Sequence, residues 1–185
     1  MIGDILKDAE GKMRKAIEAL KRDFAGTRAG RATPALLERI TVDYYGTPTP
    51  INRMATITVP EPRLLVIQPW DRGQLSAVER AILKSDLGIT PANDGHLIRL
   101  AVPQLTHERR QELVKSLRRK AEEERVTVRN LRREANELIE ELQGEGEISE
   151  DDSFRGREQV QKLTDRMVAE VDQVLQAKEA EVLEV

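Results

Sequence analysis

Four arginines, Arg125, Arg129, Arg132 and Arg133, recur at helical spacing in a long charged stretch of the chain. At 100° per residue they fall within roughly a 100° arc, centred about 110° from the apolar stripe of the same segment. They therefore line one exposed flank of a helix. A guanidinium is a planar fork that stays charged and meets phosphate oxygens two at a time, so the chemistry on offer is anion binding. The competing reading is a solvated face held by ion pairs three or four residues apart. Tested residue by residue, it accounts for Arg119 with Glu123, Lys120 with Glu124, Arg125 with Glu122 and Arg133 with Glu137. It does not account for Arg129, whose neighbours at that spacing are Arg125, Val126, Arg132 and Arg133, nor for Arg132, which has Val128, Arg129, Ala135 and Asn136. Like charges at that spacing cost about 0.2–0.5 kcal/mol per pair. The pattern favours a phosphate-binding surface, with Arg28 and Arg31 flanking a neighbouring junction and extending it. Arg28 also suits the last turn of a helix, where a cation meets the negative end of the dipole.

Catalytic and metal-binding motifs are absent by comparison. The chain has no cysteine, which excludes disulfides and thiolate metal sites. Gly11-Lys12 is followed by Met13 inside a helical pattern, so it is no phosphate-binding loop. His107-Glu108 resembles the start of a zinc-protease motif, but Gln111 stands where the second histidine is required. His96 sits beside an Asn93-Asp94-Gly95 turn pattern, and Glu122-Glu123-Glu124 reads as a solvated acidic run. The expectation is a protein without enzymatic activity, cofactor or metal.

Three long helices are predicted to position the arginines. The first covers roughly residues 2–27, with Ile2, Ile5, Leu6, Ala9, Met13, Ala16, Ile17, Leu20 and Phe24 on one face. The second runs from a Thr106 cap to about Gln143 and carries the stripe. Its seam is Val114, Leu117, Ala121, Glu124, Val128, Leu131, Ala135, Leu138 and Leu142, in alternating steps of three and four. The third starts at Ser149, with Glu150, Asp151 and Asp152 at the positive end of its dipole. The middle, about residues 31–105, has another texture: it holds all eight prolines, both tyrosines and the only tryptophan. Ile40 and Val42 alternate with polar residues, 55–59, 64–67 and 97–102 read as strands, and 74–87 as a helix stopped by Gly88. The fold class is α+β. Residues 1–30 and 105–185 are expected to form one discontinuous antiparallel three-helix bundle, and 31–104 an inserted β/α/β module. Two short connections, at Gly30-Arg31 and at Val102-Pro103-Gln104, would join them and act as a hinge.

Charge is divided unevenly. The net charge is −3, yet residues 109–133 hold ten basic and four acidic side chains, and residues 134–185 hold five basic and sixteen acidic. Screening limits each field to about 8 Å at physiological salt, so an acidic chain still presents a basic patch to nucleic acid. No apolar run is long enough for a signal peptide or a membrane span, which makes the cytoplasm the default location and excludes a membrane partner.

At Arg28-Ala29-Gly30-Arg31-Ala32-Thr33-Pro34 and Val128-Arg129-Asn130-Leu131-Arg132-Arg133 the chain resembles the bacterial ribosome recycling factor family. The likeness continues in Tyr44-Tyr45-Gly46-Thr47-Pro48, Glu147-Ile148-Ser149-Glu150-Asp151-Asp152 and Gln161-Lys162-Leu163-Thr164-Asp165, and departs at Phe154, where a polar residue is usual. The resemblance implies an L-shaped monomer that binds the post-termination ribosome and, with the GTPase elongation factor G, separates the subunits so that messenger and transfer RNA are released. It also implies that Arg129 and Arg132 contact large-subunit ribosomal RNA, with Arg28, Arg31, Arg125 and Arg133 beside them. A structural coiled-coil adaptor that binds protein instead of RNA is the alternative class.

Overall fold

The computed structural model describes residues 1–27 and 30–184. Its contacts divide the chain into two compact units: Met1–Phe24 with Gln111–Val185, and Ala25–Arg110.

The first unit is helical. Helix α1 spans Ile2–Ala25, α3 spans His107–Gly144 and α4 spans Glu150–Leu183, with the first turn of α3 counted in the other unit. At 1.5 Å per residue α3 is about 57 Å long. Ion pairs give the directions. Arg118 pairs with Glu179, Arg125 with Asp172 and Arg157 with Glu140, so α3 and α4 run antiparallel. Glu10 pairs with Arg166 and Arg14 with Glu170, so α1 runs parallel to α4. The bundle is therefore up–down–up.

The helix ends follow from local chemistry. Thr106 Oγ1 accepts from the Arg109 N–H at 3.2 Å, and Ser149 Oγ from the Asp152 N–H at 3.0 Å, which satisfies amides that a helix start leaves open. The end of α3 is closed by Glu147 N–H to Leu142 O and Gly146 N–H to Gln143 O, with Gly146 at φ +75°, a turn that glycine adopts at least cost.

Met13, Ile17, Leu117, Val128, Ile139, Met167 and Val171 are fully buried and form an aliphatic core. One seam position differs from expectation. Leu138 is 46% exposed and Ile139 is completely buried in its place. A straight α-helix drifts about 20° per heptad against a strict 3.5-residue repeat, and between Val114 and Leu138 the drift reaches about 70°, enough to bring Ile139 onto the buried face instead of Leu138. Glu124 sits in the seam half-buried, and burial, then Glu123 and Asp23, push its carboxyl above the usual range.

The second unit holds β1 (Thr41–Tyr44), β2 (Thr47–Pro50), β3 (Ala55–Glu61), β4 (Leu64–Pro69), α2 (Leu75–Lys84), β5 (Ala92–Asn93) and β6 (Ile98–Ala101). Strands β1 and β2 form an antiparallel hairpin, and a second antiparallel sheet has the order β3-β4-β6-β5. The β1–β2 turn carries Tyr45 at φ +50° and Gly46 at φ +85°, both left-handed, as a two-residue turn matching strand twist requires. Strand β2 escapes sequence reading because it contains Pro48 and Pro50, which lower strand propensity but are tolerated at an edge. Helix α2 ends earlier than expected. Ser85 Oγ–H donates to Ile82 O at 2.6 Å and closes the turn three residues before Gly88. Leu65, Ile67, Val78, Ile82, Ile98 and Leu100 form the core of this unit. Inward and outward residues alternate along β4, so Leu65 and Ile67 are buried while Gln68 and Trp70 face out.

Candidate nucleic-acid interface

The arginine flank lies on α3, where the helix fixes the spacing and α4 supplies the neighbours. Arg125 is the most enclosed of the four, its side chain 18% exposed. Its guanidinium donates to Asp172 at 2.6 Å and to Glu122 at 2.9 Å. Burial opposes its charge, but the bonds to Asp172 and Glu122 prevail and hold its pKa above the ordinary value. Arg125 is thus a bundle-stapling residue as much as a surface one.

Arg129 differs from its sequence reading. It has no acid at three or four residues, yet its Nη1 donates to Glu122 Oε1 at 3.1 Å, seven residues back. Seven residues turn a helix by 700°, within about 20° of the starting direction, so both side chains share a face two turns apart. Helical side chains lean toward the N-terminus, and a long arginine spans that gap. Glu122 is held below the usual carboxylate range by Arg125 first and Arg129 second.

Arg132 donates to the amide oxygen of Gln161 on α4 at 3.5 Å, a weak contact to a neutral group. Arg133 is exposed and makes no ion pair among the described residues; the expected partner, Glu137, does not reach it. Lys120 likewise bypasses Glu124 and pairs with Asp23 on α1 at 3.1 Å. The two arginines left without an acid are therefore Arg132 and Arg133, rather than Arg129 and Arg132. Across the flank, four guanidiniums meet two carboxylates, Glu122 and Asp172, which leaves an excess of positive charge on one side of α3.

The junction residues are placed in part. Arg28 lies outside the described residues. Arg31 is exposed and engaged in a contact of its own. Gly30 has φ +84° and packs on Leu105, where an added Cβ would stand 3.7 Å from Leu105 Cγ. Ala32 N–H donates to Pro62 O and Val102 N–H to Arg63 O, each at 2.8 Å. Val102 is also buried in the core of the sheet unit, whereas Pro103 and Gln104 are exposed. No cluster of three or more His, Asp or Glu that would hold a metal ion occurs among the described residues. No helix in them is long and apolar enough to cross a membrane.

These features define an α+β protein of the helical-bundle class, with a cation-rich flank on its longest helix. The family model for ribosome recycling factor matches residues 20–183. The ribosome-recycling factor of Carboxydothermus hydrogenoformans is 63% identical, and that of Heliobacterium modesticaldum 60% identical, each over the full length of both chains. A solution structure of the ribosome recycling factor superposes with TM-score 0.84 at 48% identity, covering 100% of this chain and 98% of that one. Models of the T. thermophilus factor and E. coli elongation factor G bound to the E. coli post-termination complex include a chain that matches with TM-score 0.69 at 44% identity, covering 99% of each. The chain belongs to the ribosome recycling factor family, whose members are non-enzymatic translation factors.

Proposed function

We propose that this protein binds the post-termination ribosome in the cytoplasm and, together with elongation factor G, separates the subunits so that messenger and transfer RNA are released. The observation that carries the reading is full-length kinship with ribosome recycling factors, one of them placed with elongation factor G on a post-termination complex. The physical reading agrees. A rigid bundle with a helix of about 57 Å supplies a lever, and the GTPase partner supplies the energy, so this chain needs no nucleotide site.

In this reading the protein acts as a monomer. Its bundle domain, residues 1–30 and 105–185, docks on large-subunit ribosomal RNA through Arg129, Arg132 and Arg133, with Arg125, Arg28 and Arg31 at the margin. Arg132 and Arg133 contribute most, because no carboxylate competes with phosphate for their guanidiniums. The module of residues 31–104 moves on Gly30-Arg31 and Pro103-Gln104. Val102 adjoins the second connection and anchors it to the module, its N–H donating to Arg63 O and its side chain buried in the sheet core.

The test is co-sedimentation with large ribosomal subunits across a salt series. Phosphate-dominated binding weakens steeply with salt, and Arg132→Gln or Arg133→Gln each lowers the slope by about one. A flat salt response with unchanged binding of both variants would place the contact elsewhere and favour a protein-binding adaptor.

A further inference from the structure

The aromatic residues of this chain are few, and the one tryptophan is 66% exposed. Trp70 follows β4 directly and points to the open face of the four-stranded sheet, beside outward-facing Thr56 and Gln68. Its indole is fixed: Nε1–H donates to Thr56 Oγ1 at 2.8 Å, and its backbone N–H to Met54 O at 3.1 Å. A cleft of about 460 Å³ opens next to it, lined by Thr56, Gln68, Pro69, Trp70, Arg72 and His96. Arg72 Nη2 lies 2.5 Å from His96 Nδ1, which joins the α2 approach to the β5–β6 turn across the cleft.

We propose that this cleft takes an unpaired nucleobase of single-stranded RNA, stacked on Trp70, with Arg72 facing the adjoining phosphate. Three observations distinguish this occupant from a protein side chain. Four of the six lining residues are polar, whereas pockets for protein anchors are mostly apolar. The hydroxyl, amide and imidazole groups of Thr56, Gln68 and His96 match the mixed donors and acceptors of a base edge. No carboxylate lines the cleft, in a chain with 33 acidic residues. A held aromatic on the open face of an antiparallel sheet, with a cation beside it, is the arrangement that stacks bases in sheet-based RNA modules. The site lies in the sheet unit, so it is separate from the arginine flank on α3 and does not depend on the reading of that flank.

Because Trp70 is the sole tryptophan, its fluorescence reports the site directly in the full-length protein. Titration with an unstructured octaribonucleotide at low salt should quench it saturably, and should do so equally in Arg132→Glu/Arg133→Glu. Binding of the same oligonucleotide, end-labelled and followed by anisotropy in that double-variant background, should weaken about tenfold or more on adding Trp70→Ala, given the usual contribution of one stacked base. Trp70→Phe should retain part of the affinity, and Arg72→Gln should lower the salt slope by about one. Absence of saturable quenching, or quenching that vanishes with the α3 double variant, overturns the proposal. If no RNA binds but Trp70→Ala still impairs subunit splitting with elongation factor G, the patch is a protein contact and the proposal is also overturned.

Discussion

Arg129 reaches two helical turns back along α3 to Glu122, Nη1 to Oε1 at 3.1 Å, and Arg125 Nη1 bonds the other oxygen of the same carboxylate, Oε2, at 2.9 Å. One exposed acid thus restrains two cations of the flank. In solution this is a screened surface contact, easily exchanged for another anion. Glu122 therefore acts as an internal competitor for phosphate. Glu122→Gln should tighten binding to large ribosomal subunits roughly two- to fivefold at low salt, the range of exposed ion pairs. Measured weakening would mean instead that Glu122 holds the guanidiniums in their binding geometry.

The seam carboxylate of α3 opposes folding. Glu124 is half-buried, and its raised pKa means that the folded bundle favours the protonated form. The penalty is absent below the unfolded carboxyl pKa and is fully present once pH has risen through the raised folded value. Glu124→Gln should therefore raise the melting temperature at pH 7 and leave it nearly unchanged at pH 3. Equal effects at both pH values would assign the gain to packing rather than charge.

Gly156 on α4 lies close against α1 and α3. A Cβ there would stand 3.2 Å from Ile2 Cδ1 and 3.3 Å from Ile139 Cδ1. Replacing glycine by alanine inside a helix gains about 1 kcal/mol of propensity, which a shift of a few tenths of an ångström in Ile2 would offset. Gly156→Ala should fall within about 1 kcal/mol of the parent in denaturant unfolding, while Gly156→Leu should cost about 1–3 kcal/mol by overpacking. A neutral leucine variant would show that the N-terminal turn of α1 packs loosely.

The β5–β6 turn is tied by one carboxylate. Asp94 accepts from the Leu97 and His96 N–H groups, each at 2.9 Å, and from Arg99 Nη1 at 2.9 Å. The backbone donors, then Arg99, lower its pKa to about 2. A depressed carboxyl stabilises the fold above its unfolded pKa and loses that contribution as pH falls through the folded value. Carbon-detected NMR titration should place the Asp94 midpoint near 2, with the turn amides shifting in the same pH range. A midpoint close to 4 would show that the turn does not hold the carboxylate in solution.

Much of this protein was legible in the order of its residues. The three long helices, the α+β class and the basic flank follow from periodicity, because a helix of fixed pitch converts spacing into faces. The caps at Thr106 and Ser149 follow from side chains that satisfy open amides locally. What lay beyond the sequence is partner choice. Arg125 met Asp172 across the helix pair, Lys120 met Asp23, and Arg132 turned to Gln161. Those partners stand 47, 97 and 29 positions away, and only packing brings them within reach. The exchange of Leu138 for Ile139 in the core has the same origin, since small angular drift accumulates along a long helix and is read only against the neighbour it packs on. The cleft beside Trp70 is likewise tertiary: strand pairing places Thr56 by Trp70, and the β5–β6 turn delivers His96 to Arg72. Local sequence decides what a segment can bond to within a few turns; which distant group it meets is settled when the elements dock, because side-chain contacts form over a few ångströms and the chain between them sets no such distance.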